Sequence, residues 1–166
     1  MKSVRNLVFY AMCAAIVVIS KELLAFLPNI ELVSFLLILF ALNFEWKGSI
    51  FIAFIFCFLQ SVLYGVGLWT PMYFIVWPLL VIVVASLKKY LTNYARTALF
   101  SALFGLMFGF LFSIPYFMVS IRTGWIYFIK GIPFDLIHCF GNYIIMALLF
   151  DKASHLFAYF HIKYQI

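Results

Sequence analysis

The chain has 166 residues, of which 68% are hydrophobic and 10% are charged, and its formal net charge at pH 7 is +6. Soluble proteins carry about a quarter charged residues. A soluble fold of this length could not hide the 22 phenylalanines of the sequence, which would coat its surface. The composition therefore excludes a soluble domain. It predicts an all-α membrane protein with a single domain over residues 1–166, surrounded by the lipid bilayer and without a nucleic-acid partner.

Apolar segments in chain order predict a compact bundle of six transmembrane helices. They cover residues 7–26, 32–44, 48–65, 71–87, 98–121 and 133–150, and residues 151–166 follow as a polar and aromatic tail. The second segment has 13 residues, whereas about 20 are needed to cross a bilayer upright. We interpret it as a short span whose ends depend on polar residues near an interface.

The basic residues are divided unequally between the two sides of this bundle. One side holds eight of the eleven, namely Lys2, Arg5, Lys47, Lys88, Lys89, Arg96, Lys152 and Lys163. Because basic loops stay in the cytoplasm, both termini are predicted to be cytoplasmic. The first, third and fifth loops then face outward.

A polar stripe interrupts the last apolar segment, within residues 131–142. Pro133 suits the first position of a helix and Asp135 its first turn, so we expect the sixth helix to begin here. Asp135, His138 and Asn142 then lie within about 60° of one another on one helical face. An ionisable group facing lipid costs at least about 2.5–3.5 kcal/mol, so this stripe should face a wet cavity or a partner.

A purely structural interpretation of the stripe also stays open. Asp135 could pair with Lys130 at the surface while His138 satisfies a backbone carbonyl. A metal site is not predicted, because a third strong ligand is not evident nearby in the sequence. The binding interpretation adds polar and aromatic residues of the same predicted end. The full set of candidate substrate-binding residues is Asn29, Glu31, Trp69, Trp77, Tyr116, Arg122, Asp135, His138 and Asn142.

Small residues recur at four-residue spacing along three of the predicted helices, which lets neighbouring helices approach closely. In the first helix, Ala11 and Ala15 indicate either packing inside the monomer or a docking face for another subunit. In the third and fifth helices the pattern favours packing. Those residues are Ser49, Ala53, Cys57, Ser61 and Gly65, and then Ser101, Gly105, Gly109 and Ser113.

Motifs of catalysis and of ATP binding do not occur in the sequence. It has neither G-x-S-x-G, nor H-E-x-x-H, nor a G-x-x-x-x-G-K-[ST] phosphate loop. The three cysteines lie singly in different apolar segments, which supports neither a disulfide framework nor a zinc site. We therefore predict a protein that is not an enzyme and carries no cofactor.

Several of these segments together, in this order, resemble one known family. They are the Ala-x-x-x-Ala pair at 11–15, Leu-Pro-Asn-Ile-Glu at 27–31, Gly-Leu-Trp-Thr-Pro at 67–71 and Gly-Ile-Pro-Phe-Asp at 131–135. With six spans in about this length, nearly the whole chain resembles the S components, the substrate-binding membrane subunits of energy-coupling factor (ECF) vitamin transporters.

This resemblance implies a function and a set of partners. The chain would capture a vitamin-like small molecule near the outer surface of the bacterial plasma membrane, enclosed by the outward loops and the last three helices. Ala11 and Ala15 would dock on a transmembrane coupling subunit driven by two cytoplasmic ATPases, and the loaded protein would topple to release its cargo. Within the family, the loops look most like members assigned to cobalamin. The alternative is a structural or regulatory membrane protein, or an uncharacterised intramembrane enzyme.

Overall fold

A computed structural model describes residues 4–164, except for the side chains of residue 158 and residues 160–164. All of its regular elements over that range are helices. They are α1 (Val4–Leu23), α2 (Val33–Asn43), α3 (Trp46–Tyr64), α4 (Trp69–Leu87), α5 (Tyr94–Val119) and α6 (Ile121–Tyr164).

Five of these helices are long and apolar enough to cross a membrane, and α2 is the exception. With 11 residues, α2 is about 16 Å long, roughly half the hydrocarbon thickness of a bilayer. Its side chains are nevertheless central to the fold, because Leu37, Ile38 and Leu39 are fully buried. The predicted all-helical fold is thus confirmed over the described residues, its five long apolar helices are compatible with a multi-pass membrane protein, and α2 is a short helix packed inside the bundle.

Consecutive helices run in opposite directions, so the helix ends are collected at two opposite ends of the bundle. At one end the Lys21 ammonium of α1 lies over the ring of Tyr64 from α3, at 4.4 Å from its centroid. At the other end Phe44, just after α2, packs edge-on against Phe9 of α1 and Phe157 of α6, with centroids 5.1 and 5.5 Å apart. We call the end that holds Lys21 and Tyr64 the cavity end.

The small-residue face of α5 packs against α6, as predicted. A Cβ atom at Gly105 would lie 2.9 Å from the backbone oxygen of His138. At Gly109, it would overlap the carboxylate of Asp135. Glycine at these two positions therefore lets the backbones of α5 and α6 approach closely.

Packing explains the first three residues of the small-residue face of α3, whereas Ser61 is half-buried and Gly65 is exposed after the end of the helix. Ser49, Ala53 and Cys57 are buried. The thiol of Cys57 donates a hydrogen bond to the backbone oxygen of Tyr73 in α4, over 3.2 Å. By contrast, the Ala11 and Ala15 side chains are exposed on the outside of α1. These two alanines do not pack inside the monomer.

The predicted start of the sixth helix at Pro133 is wrong. Helix α6 begins at Ile121 and runs through Pro133. Its beginning is marked instead by Ser120, whose hydroxyl accepts the backbone N–H of Thr123 at 3.0 Å and lies 2.7 Å from the Thr123 hydroxyl. This is an N-terminal cap. The predicted fifth loop is therefore reduced to Ser120, and Arg122 lies in the first turn of α6.

The predicted polar tail after residue 150 is also helical as far as Tyr164. Phe157 holds this extension against the bundle, with its ring edge-on to Phe40 at 5.8 Å and to Phe44 at 5.5 Å. The last two residues of the predicted tail lie outside the described residues. Of the described tail residues, Phe157 thus packs against α2 and the residue that follows it.

Candidate functional site

A cavity of about 720 Å³ opens at the cavity end. On one side it is bounded by the ends of α1, α3 and α4, and on the other by the α5–α6 hairpin. Its lining combines aromatic rings with a few polar groups. The lining residues are Lys21, Asn29, Gln60, Tyr64, Trp69, Tyr73, Phe108, Gly109, Phe112, Tyr116, Thr123, Ile126, Tyr127, Lys130, Gly131, Phe134 and Asp135.

A second cavity of about 380 Å³ lies beneath the connection between α1 and α2. Glu31, Trp77 and His138 belong to its lining. The two cavities have five lining residues in common, so they are adjacent spaces. The shared residues are Lys21, Asn29, Tyr64, Tyr73 and Phe108.

The structure brings most of the predicted site residues to these two cavities. Asn29, Trp69, Tyr116 and Asp135 line the larger one, and Asn29, Glu31, Trp77 and His138 line the smaller one. The two exceptions are Arg122, exposed at the start of α6, and Asn142.

Asn142 lies deeper between α5 and α6. Its side-chain amide donates to the backbone oxygen of Ser101 at 3.2 Å, and the residue is 2% exposed. It joins two helices and does not line either cavity. Of the predicted polar stripe, Asp135 and His138 reach cavity walls and Asn142 has a structural contact.

Asp135 is a buried carboxylate on the wall of the larger cavity, and the residue is 3% exposed. One oxygen, Oδ1, accepts the backbone N–H of Gly109 over 2.9 Å. The other, Oδ2, is buried without a hydrogen-bond partner. Among the described residues, Asp135 and Lys130 form no ion pair. The hydrogen bond of Asp135 is with the backbone of α5.

His138 connects α6 to the segment between α1 and α2. Its Nε2 lies 3.1 Å from Glu31 Oε1. The same carboxylate accepts the backbone N–H of Ser34 in the first turn of α2, with oxygens at 3.0 and 3.1 Å. Glu31 thus orders the start of α2 and fixes the preceding connection to α6.

Asn29 gives this connection its shape. It has a positive φ of 55°, a left-handed conformation that asparagine adopts more readily than most residues. The Pro28-Asn29 pair therefore turns the chain sharply between the two cavities. Asn29 lines both of them.

A polar cluster around Glu22 forms a part of the rim that the sequence did not single out as a site. The carboxylate accepts hydrogen bonds from Gln60 Nε2 at 3.0 Å, from the Tyr64 hydroxyl, and from Lys21 Nζ at 3.2 Å. Glu22 thereby fixes α1 to the end of α3. The sequence signal that could have indicated this cluster is Gln60, because a polar side chain within an apolar span needs a partner.

Aromatic side chains form much of the cavity walls. Trp69 and Trp77 both pack edge-on against Tyr73, with centroids 4.8 and 5.9 Å apart. On α5, Phe108 stacks on Phe112 at 4.3 Å. Tyr116 stacks on a further ring, Tyr127, at 3.9 Å. Tyr73, Phe108, Phe112 and Tyr127 were missed, because aromatic residues are common throughout this sequence.

The cavity can hold a small molecule between aromatic surfaces and present a buried carboxylate oxygen to it. Comparison of the chain with protein-family models, with curated proteins and with solved structures gives no match.

Proposed function

We propose that the chain is the substrate-binding S component of an ECF-type transporter, which captures a vitamin-like small molecule at the outer face of a bacterial plasma membrane. One observation carries the proposal. A cavity of about 720 Å³ opens at one end of an apolar helical bundle, with the buried, half-satisfied carboxylate of Asp135 on its wall. Its volume is in the range of about 300–1,000 Å³ typical of small-molecule sites.

The distribution of charge supports the outward orientation of this cavity. The opposite end of the bundle carries Lys47, Lys88, Lys89 and Arg96, which the positive-inside rule assigns to the cytoplasm. A molecule captured at the cavity end would then come from outside the cell. We propose that both termini are cytoplasmic.

Transport requires energy that this chain does not supply, because its sequence has no phosphate-binding loop. In the proposed complex a transmembrane coupling subunit and two cytoplasmic ATPases provide it. The exposed Ala11 and Ala15 on α1 offer a shallow surface where a partner helix can approach.

Cobalamin is the first vitamin to test, since the loops resemble members of the family assigned to it. A ligand with so large a ring system would need both cavities. The two spaces, about 720 and 380 Å³, are adjacent and share lining residues such as Tyr73 and Phe108.

A second candidate function is an intramembrane enzyme, favoured by one contact. His138 and Glu31 lie 3.1 Å apart beside a cavity, as in a histidine base oriented by a carboxylate. An enzyme would convert its ligand, whereas a binding subunit would release it unchanged. Mass spectrometry of a bound ligand after incubation distinguishes the two.

The proposed function is tested by vitamin uptake. Bacteria that lack their own uptake system for one vitamin are given this chain together with an ECF coupling module, or the chain alone. ATP-dependent accumulation that needs both would support the proposal. Accumulation of no vitamin, with the chain present in the membrane and associated with the module, would contradict it.

A further inference from the structure

The carboxylate of Asp135 has one oxygen without a partner. Gly109 N–H occupies Oδ1, while Oδ2 is buried and receives no hydrogen bond in the described structure. The residue lines the larger cavity and is 3% exposed. Because a buried polar atom without a partner is destabilising, a donor from a bound molecule is the expected complement.

Two more buried polar atoms without partners lie on the wall of the smaller cavity, His138 Nδ1 and Trp77 Nε1. Both rings pack against Phe108, with centroids 5.0 and 5.4 Å away. Glu31 occupies His138 Nε2 at 3.1 Å, so Nδ1 is the ring nitrogen that is left without a partner. Trp77 Nε1 is a donor only. The buried atoms without partners on the walls of the two cavities are therefore Asp135 Oδ2, His138 Nδ1 and Trp77 Nε1.

We infer that the site, given the proposed function, selects a flat heteroaromatic ligand whose exocyclic amino or primary amide group donates a hydrogen bond to Asp135 Oδ2. A hydrogen bond to a carboxylate is about twice as strong as one between neutral groups. The ring itself packs against the aromatic lining of the larger cavity, to which Tyr73 and Phe112 belong. A ligand that presents a carboxylate at this depth is rejected, because it would meet Asp135.

The test uses ligand pairs in which NH₂ is replaced by OCH₃, which removes the donor and leaves the ring unchanged. The pairs are adenine with 6-methoxypurine, nicotinamide with methyl nicotinate, and pterin with its 2-methoxy counterpart. Affinities for the purified full chain in detergent are measured by ligand-observed NMR titration. For at least one pair, we expect the amino member to bind about tenfold or more tightly, which corresponds to about 1.4 kcal/mol.

The substitution Asp135→Asn assigns this preference to the carboxylate. The asparagine oxygen can still accept Gly109 N–H, while its amide nitrogen replaces Oδ2 and faces the ligand as a donor. We expect the preference for the amino member to fall below twofold or to reverse. The matched control is Asp151→Asn, an exposed carboxylate of the same helix at the other end, which should keep the preference.

The ligand pairs test the preference for an amino group, and they do so independently of the test of the proposed function. Equal binding within every pair, binding of no pair, or a preference that survives in a folded Asp135→Asn variant would overturn the inference. The proposed function would still be judged by vitamin uptake. If Asp135→Asn does not fold, the amino-to-methoxy ratio of the wild-type chain decides alone.

Discussion

Glu31 and His138 lie 107 positions apart in the chain, and their side chains meet at 3.1 Å beside the smaller cavity. Glu31 belongs to the connection between α1 and α2, and His138 to the middle of α6. The contact therefore fixes the connection between α1 and α2, which covers the smaller cavity, to α6, which forms part of the wall of the larger cavity.

We predict that Glu31→Ala frees this connection and that Glu31→Gln leaves it largely in place. Glutamine can still accept the Ser34 N–H, whereas alanine cannot. Loss of such a cap costs about 0.5–2 kcal/mol. Hydrogen exchange at the Ser34 amide should therefore accelerate by about 2- to 30-fold in the alanine variant.

The control for this experiment is Glu45→Ala, an exposed carboxylate at the opposite end of the bundle. It should leave exchange at Ser34 unchanged. Equal exchange in Glu31→Ala and the wild-type chain would show that Glu31 does not order the start of α2.

Gly109→Ala should destabilise the fold, because the added methyl group overlaps the Asp135 carboxylate. Overpacking of this kind costs about 1–3 kcal/mol. Gly131→Ala is a matched control on α6. Its Cβ would lie 3.8 Å from Asp135 Oδ2, an ordinary contact, and alanine favours a helix over glycine by about 1 kcal/mol.

The free energy of unfolding in mixed micelles, measured by circular dichroism, distinguishes the two glycine variants. We expect Gly109→Ala to lower it and Gly131→Ala to leave it unchanged or raise it. If Gly109→Ala proved as stable as the wild-type chain, the close packing of α5 on α6 at this level would be wrong.

Replacing Ala11 and Ala15 together by Trp should block assembly with a coupling subunit without affecting ligand binding. Both side chains are exposed on α1, away from the cavity lining. The control replaces Leu99 and Leu103 by Trp, because these are exposed side chains of α5 with the same spacing. Co-purification with the coupling module is the measurement. Normal assembly of the α1 variant would exclude this face as the docking surface.

Trp69→Ala should weaken ligand binding by roughly tenfold through lost stacking area on the cavity wall. Trp46→Ala is the control, because Trp46 is an exposed tryptophan at the opposite end. Calorimetric titration of both variants checks the expectation. Unchanged affinity for Trp69→Ala would remove this wall from the site.

Much of the fold was predictable because it depends on hydrophobicity and on small-residue spacing. Apolar length located the helices, and the spacing of Gly105 and Gly109 predicted a packing face. The start of α6 was not predicted correctly, since Pro133 is a strong local signal for a helix start. Ser120 is a weaker sequence signal for a helix start than Pro133, but the helix begins after Ser120.

The candidate site was predictable where a polar residue stands alone in an apolar segment, as Asp135 and His138 do. The orientation of a side chain around the helix axis does not show whether that side chain reaches a cavity. Asn142 has the same orientation, but it lies a turn further from the opening and meets the backbone of Ser101 instead. Aromatic walls such as Tyr73 and Phe108 give no distinguishing signal among so many similar residues.

We propose that the chain binds a vitamin in the cavity beside Asp135. The most direct measurement is calorimetric titration of the purified chain with a vitamin panel that includes cobalamin. Each titration is repeated with Gly131→Trp, a variant that fills the cavity and whose folding is checked by size-exclusion chromatography. We expect one vitamin to bind at one site per chain and the filled variant to bind none. Absence of binding to the folded wild-type chain across the panel, or equal binding by both proteins, would contradict it.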